Sequence, residues 1–143
     1  KCLAARLENR NWKTIVILSD GELQEGSNWE SLMFAAHYKL NNLIGCIDFN
    51  NLQSLTTVDK TIALNPLKEK FESFGCEVKS IDGHNHREIY ESFRSFNHPE
   101  KPKILILNTI KGKGISFMEN SVDWHYKSPT DEQLNLALNE IYK

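Results

Sequence analysis

With 143 residues, 40% of them hydrophobic and 25% charged, the chain is sized for one globular domain and carries too much apolar mass to be disordered. A net charge of −2 without a basic stripe leaves nucleic acid without an electrostatic footprint, and no apolar run approaches the roughly 20 residues of a membrane helix. Cys2, Cys46 and Cys76 are widely spaced and form no metal motif; with no signal-peptide pattern, they read as reduced core thiols of a cytoplasmic protein.

The opening "KCLAARLENRNWK" lacks Met and is already helical over residues 1–9, so the chain is expected to begin partway through a larger domain. "TIVIL" (14–18) is a continuous β-branched run, the pattern of a strand covered on both faces. Over residues 27–40, Trp29, Leu32, Met33, Ala36 and Leu40 recur at helical spacing, and Ser27 with Glu30 predicts a capping box at the start. "LIGCID" (43–48) reads as the next strand, followed by a polar loop. Pro66 opens a short helix carrying Leu67, Phe71 and Phe74, and Gly75 ends it. "CEVKSID" is a strand, and "HREIYESFRSF" is a helix with Ile89, Tyr90, Phe93 and Phe96 on one side. "KILILNT" (103–109) is a further buried strand, and a long loop with two glycines leads to a helix started by Thr130, with Leu134, Leu138 and Ile141 on one stripe. Strands alternating with helices predict parallel βαβ units in a three-layer α/β/α sandwich with a mostly parallel sheet.

Ligands of open α/β sheets sit beyond the carboxyl ends of the strands, so the loops at Asp20, Asn50 and Lys111 belong together. Asp20-Gly21 alone is a common turn pair. A carboxylate there can equally hold a hard cation, with Gly21 allowing an unusual backbone angle and close ligand approach. Asn50 follows thirty residues later at the end of the next strand. Neighbouring parallel strands would bring it beside Asp20, where carboxylate, amide and backbone oxygens could form half of an octahedral Mg²⁺ site. His84 and His86, one residue apart, make a poor metal site; Asn85 as a helix cap between exposed histidines is the better account.

An Asp-Gly pair, about thirty residues, then Asn-Asn after an apolar strand resembles the thiamine-diphosphate signature. Together with "SDGELQEGSNWESLMFAAHYKLNNLI", "SIDGHN", "TIKGKGISF" and "DWHYKSP", it is similar to the diphosphate-binding (PP) domain of transketolase, above all the N-terminal subunit of split transketolases, from near residue 14 to the C-terminus. The resemblance implies that residues 1–143 are the C-terminal part of that domain, incomplete at the N-terminus. It implies Mg²⁺ bound by the Asp20 and Asn50 side chains and the Leu52 backbone carbonyl. The Gly21 N–H would face the diphosphate, Lys111 the cofactor, and His125 would lie near diphosphate and substrate as a proton-transfer or substrate-holding group. Without the resemblance, Lys111 reads as an exposed loop lysine and His125 as a structural histidine. Glu25 and Glu30 match acidic residues at the family's subunit interface, and Ser19 stands where the family commonly has Gly.

The implied activity is transfer of a two-carbon ketol unit between sugar phosphates with thiamine diphosphate and Mg²⁺. The implied partner is a pyrimidine-binding domain or C-terminal transketolase subunit, in a homo- or hetero-oligomer. The rivals are another thiamine-dependent enzyme, such as a deoxyxylulose-phosphate synthase or a ketoacid dehydrogenase component, and a non-catalytic interaction remnant of the fold.

Overall fold

In the computed structural model, which describes residues 1–142, the elements run α1 (Cys2–Leu7), β1 (Thr14–Ser19), α2 (Gly26–His37), β2 (Leu43–Phe49), α3 (Val58–Thr61), α4 (Leu67–Ser73), β3 (Glu77–Asp82), α5 (His86–Ser95), β4 (Lys103–Asn108) and α6 (Asp131–Ile141). Single 3-10 turns span Gly21–Gln24 and Val122–His125. All strand pairs are parallel, in the order β1-β2-β4-β3. The strands therefore end along one edge of the sheet, and the loops after β1, β2 and β4 leave from there. Among the described residues no helix is long and apolar enough to cross a membrane.

Period-two alternation splits the core between two faces. Ile47, Ile104 and Ile106 pack with Leu32 of α2, Val58 of α3 and Phe71 of α4. On the opposite face Ile44, Cys46 and Leu105 meet Phe93 and Phe96 at α5. The register sets Cys46 beside Leu105 and Ile47 beside Ile106, so each face is continuous across β2 and β4. This is the three-layer α/β/α sandwich that the alternation of elements predicts.

Several local expectations need correction. The apolar run of β1 is not covered on both faces by the described residues: among them its strand partner is β2, and Ile15 and Ile17 stand 55% and 75% exposed. The capping box at Ser27 and Glu30 does not form. Extended Glu25 is the N-cap of α2, which already places Ser27 inside the first turn, where its carbonyl accepts the Ser31 hydroxyl. On α2, Met33 faces outward while Leu32 and Ala35 are buried. Thr130 does start α6, in a capping box with Gln133, but its buried residue is Ala137, and Leu134, Leu138 and Ile141 are exposed. The polar loop after β2 contains α3, whose Thr57 cap accepts the Lys60 N–H.

Candidate functional site

At the end of β1 the chain turns directly into the 3-10 turn. Asp20 is 1% exposed, and its carboxylate accepts the Gly21 N–H at 2.7 Å and the Asn51 N–H at 2.5 Å. Burial raises its pKa above the ordinary 3.8, backbone N–H groups of Asn51, Gly21 and Asn50 oppose that, and Asp48 adds a smaller upward push. Gly21 has no positive φ, contrary to the expected unusual backbone angle. What it provides is close approach: a Cβ there would lie 3.2 Å from Gln53 Cγ. Its N–H is directed to Asp20 in this conformation.

Ser19 and Glu22 hold the same turn from outside. The Ser19 hydroxyl accepts the Glu22 N–H, and a Glu22 carboxylate oxygen accepts the Ser19 N–H, both at 3.2 Å. The spacing Ser-x-x-Glu occurs at 19–22 and again at 27–30, and the first occurrence forms the reciprocal pair. Behind the turn, Trp29 Nε1 donates to the Leu23 carbonyl at 2.7 Å while its ring packs on Phe71 and Phe74, which ties the site loop to α4 and the core.

The loop after β2 faces Asp20. Asn50 Oδ1 accepts the Leu52 N–H at 3.0 Å, and Asn51 takes a left-handed φ of 61° that asparagine tolerates. Leu52 pairs with Thr57 in an isolated antiparallel bridge. The two hydrogen bonds closing it, Gln53 N–H to Thr56 O and Val58 N–H to Asn51 O, leave the Leu52 carbonyl out. Asn51 Oδ1 and Gln53 Nε2 are buried without a hydrogen-bond partner, a cost of about 1–3 kcal/mol each unless something completes them.

The loop after β4 supplies the third side. Gly112, at φ +76°, makes a turn that no Cβ could enter, since it would lie 2.5 Å from the Met118 carbonyl oxygen. The Lys111 carbonyl accepts the Asn120 N–H, and the Ile110 N–H donates to His84 Nε2 at 2.8 Å. His125, in the Val122–His125 turn, approaches Ser54 Oγ at 3.3 Å through Nε2.

Asp20, Gly21, Asn50, Leu52, Lys111 and His125 all line one cavity of about 460 Å³. A second hollow of about 510 Å³ shares Asp48, Asn50 and Lys111 with it and extends toward His84. Among the described residues no cluster of three His, Cys, Asp or Glu side chains forms a metal cage. Asp20, Asn50 and Leu52 bring a carboxylate, a side-chain amide and a backbone carbonyl to the cavity, whose lining also includes Glu22, Glu25, Asp48 and Gln53.

Residues 6–140 match the family model described as "Transketolase, thiamine diphosphate binding domain". The chain belongs to the transketolase family. It is 41% identical over 139 residues to an apulose-4-phosphate transketolase subunit of Actinobacillus succinogenes, covering 97% of this chain and 50% of that one. A 6-deoxy-6-sulfo-D-fructose transketolase subunit of Clostridium sp. is 37% identical over 142 residues, 99% of this chain and 52% of the other. The chain thus spans about half the length of these curated relatives. A solved transketolase from Campylobacter jejuni superposes with a TM-score of 0.89 at 30% identity, over 99% of this chain and 23% of that one.

Sequence reasoning on this transketolase domain missed Asp48, Gln53 and Ser54 as cavity residues. The acid of "IDFNN" at a strand's carboxyl end was an available signal for Asp48. Gln53 and Ser54 carried none, because the turn at Asn51 decides where they point. Glu25 lies at the cavity, whereas Glu30 is on exposed helix surface. Asn85 caps α5 as expected, accepting the Arg87 and Glu88 N–H groups, and His84 has the added role of receiving the Ile110 N–H.

Proposed function

We propose that this chain, as the C-terminal part of a PP domain, supplies the diphosphate and Mg²⁺ half of a thiamine-diphosphate site. The complete protein would transfer a two-carbon ketol unit from a ketose phosphate to an aldose phosphate. The observation that carries this is the convergence of Asp20, Asn50, Leu52, Lys111 and His125, from three strand-end loops, on one cavity. Family membership and relatives named as transketolase subunits support the same reading over the thiamine-dependent rivals, and the joint presence of Asp20, Gly21, Asn50 and His125 at one cavity supports it over a non-catalytic remnant.

The residues fit the cofactor's metal by donor chemistry. Asp20 would bind Mg²⁺ through its carboxylate, Asn50 through Oδ1, and Leu52 through the carbonyl that its β-bridge leaves unused. Diphosphate oxygens and water would supply the ion's remaining ligands. Thiamine diphosphate, when bound, supplies the carbanion chemistry that ketol transfer needs. Lys111 would offset diphosphate charge. The Gly21 N–H could reach the diphosphate only by turning from Asp20 Oδ1, which a bound cation would favour by drawing on that carboxylate. His125, held near Ser54, would take or return a proton at a substrate hydroxyl. The pyrimidine half of the site would come from another domain or from a C-terminal subunit in a homo- or hetero-oligomer. The relatives are named for different sugars, apulose 4-phosphate and 6-deoxy-6-sulfo-D-fructose.

The test is calorimetric titration of thiamine diphosphate with Mg²⁺ into the complete protein, with and without its pyrimidine-domain partner. Binding that requires Mg²⁺ and is lost in Asp20→Ala is expected. Absence of binding in both states, or unchanged binding in Asp20→Ala, would overturn the assignment.

A further inference from the structure

We infer that Asp48 is a positioning residue of the metal site: held by Thr109, it turns the Asn50 side-chain amide so that oxygen rather than nitrogen faces the cation. This rests on the proposed Mg²⁺ reading. Asp48 occupies the second-last position of β2, between the ends of β1 and β4. Its backbone carbonyl accepts the Asp20 N–H at 3.1 Å. One oxygen of its side chain, Oδ1, accepts the Thr109 hydroxyl, and Oδ2 accepts Asn50 Nδ2 at a long 3.4 Å. Thr109 is itself fixed by donating its N–H to the Phe49 carbonyl at 3.2 Å. Asp48 therefore links the three strand ends that surround the cavity, the end of β1 through its backbone carbonyl and those of β2 and β4 through its side chain.

The orientation follows from hydrogen-bond polarity. A carboxylate only accepts, so it faces the NH₂ end of the amide. At the other end, Asn50 Oδ1 accepts the Leu52 N–H at 3.0 Å and keeps a second lone pair. A flipped amide would set oxygen against the Asp48 carboxylate and NH₂ against the Leu52 N–H, so both contacts would become repulsive. The two ends of an amide have almost the same shape, but a hard cation takes the oxygen alone. Partners that orient metal ligands typically alter affinity 10–100-fold when removed.

The experiment uses the complete protein with its pyrimidine-domain partner and saturating thiamine diphosphate, with Mn²⁺ as the probe and its dissociation constant read by electron paramagnetic resonance. Asp48→Ala is expected to weaken Mn²⁺ by about tenfold or more. Thr109→Val, close to isosteric, should weaken it less, and Thr109→Ser should restore the wild-type value. In an Asn50→Asp background the carboxylate presents oxygen whichever way it turns, so adding Thr109→Val should leave Mn²⁺ affinity unchanged, whereas a purely structural loss would persist. Asp48→Ala and Thr109→Val both binding Mn²⁺ within twofold of wild type, while Asp20→Ala loses it, would overturn this inference alone. A wild-type protein that holds no Mn²⁺, or an Asp20→Ala variant that binds normally, would overturn the site reading and this inference with it.

Discussion

Replacing Asp20 by Ala in the complete protein, stripped of metal and cofactor, is expected to destabilise the fold. A buried carboxylate is ordinarily unfavourable, and burial does push Asp20 above its usual pKa. Removing such a group at a functional site often relieves strain. Here the opposite term is larger, because the carboxylate accepts two backbone N–H groups, from Gly21 at 2.7 Å and Asn51 at 2.5 Å. At about 1.5–3 kcal/mol for each hydrogen bond to a charged group, their gross contribution is about 3–6 kcal/mol. Relief of desolvation and of the Asp48 charge returns part of this, leaving a net loss of about 2 kcal/mol. At roughly 2–4 °C per kcal/mol for a chain of 150–250 residues, Tm should fall by about 4–8 °C. Urea and thermal denaturation followed by circular dichroism in excess chelator would measure it, with Asp20→Asn, which keeps one acceptor, falling between. An Asp20→Ala variant as stable as wild type, or more so, would refute the claim that this carboxylate anchors the Asn51 loop.

Gly83→Ala should destabilise by about 1–3 kcal/mol in urea denaturation, the usual range for overpacking. Its Cβ would lie 2.4 Å from Thr109 Cγ2, 2.9 Å from Leu107 Cβ and 3.1 Å from the Asn108 carbonyl oxygen, close to strand backbone that cannot swing away. Ser19→Gly and Glu22→Ala should each lower stability by about 0.5 kcal/mol, and the double variant by scarcely more than either, since the two share one reciprocal pair; full additivity in a double-mutant cycle would count against the pair. Burial raises the Cys76 thiol from 9.0 to about 11, so the folded state holds its proton more tightly than the unfolded chain does. Its contribution to stability is therefore intact below pH 9 and falls between pH 9 and about 11. Iodoacetamide at pH 8 should label Cys76 in urea-unfolded protein and leave it unlabelled in the folded one; mass spectrometry finding rapid native labelling would contradict its burial.

Much of the site was legible because it is built from strand ends. "TIVIL", "LIGCID" and "KILILNT" announce parallel strands by their apolar continuity, and the chain direction alone then sends Asp20, Asn50 and Lys111 to one edge. Placing His125 required the family resemblance, because a histidine in a long irregular loop has no period to locate it. The capping error has a simple cause: two Ser-x-x-Glu spacings lie eight residues apart. Only the actual path of the chain through the 3-10 turn decides that Ser19 and Glu22 pair while Ser27 falls inside α2.

What the sequence determined by itself was local and periodic: the strands, most helices, the Asn85 and Thr130 caps, and the order that makes the sheet parallel. These follow from interactions within a few residues and from repeats of hydrophobicity along the chain. Tertiary structure decided the rest. It left Ile15 and Ile17 of β1 uncovered by the other described residues, turned Asn51 into a left-handed residue that donates its N–H to the Asp20 carboxylate, and brought Thr109 to Asp48 from sixty-one positions away. Those outcomes depend on which strands lie side by side and in what register. Side-chain partners across a sheet are contacts in space, and no spacing along one strand specifies them.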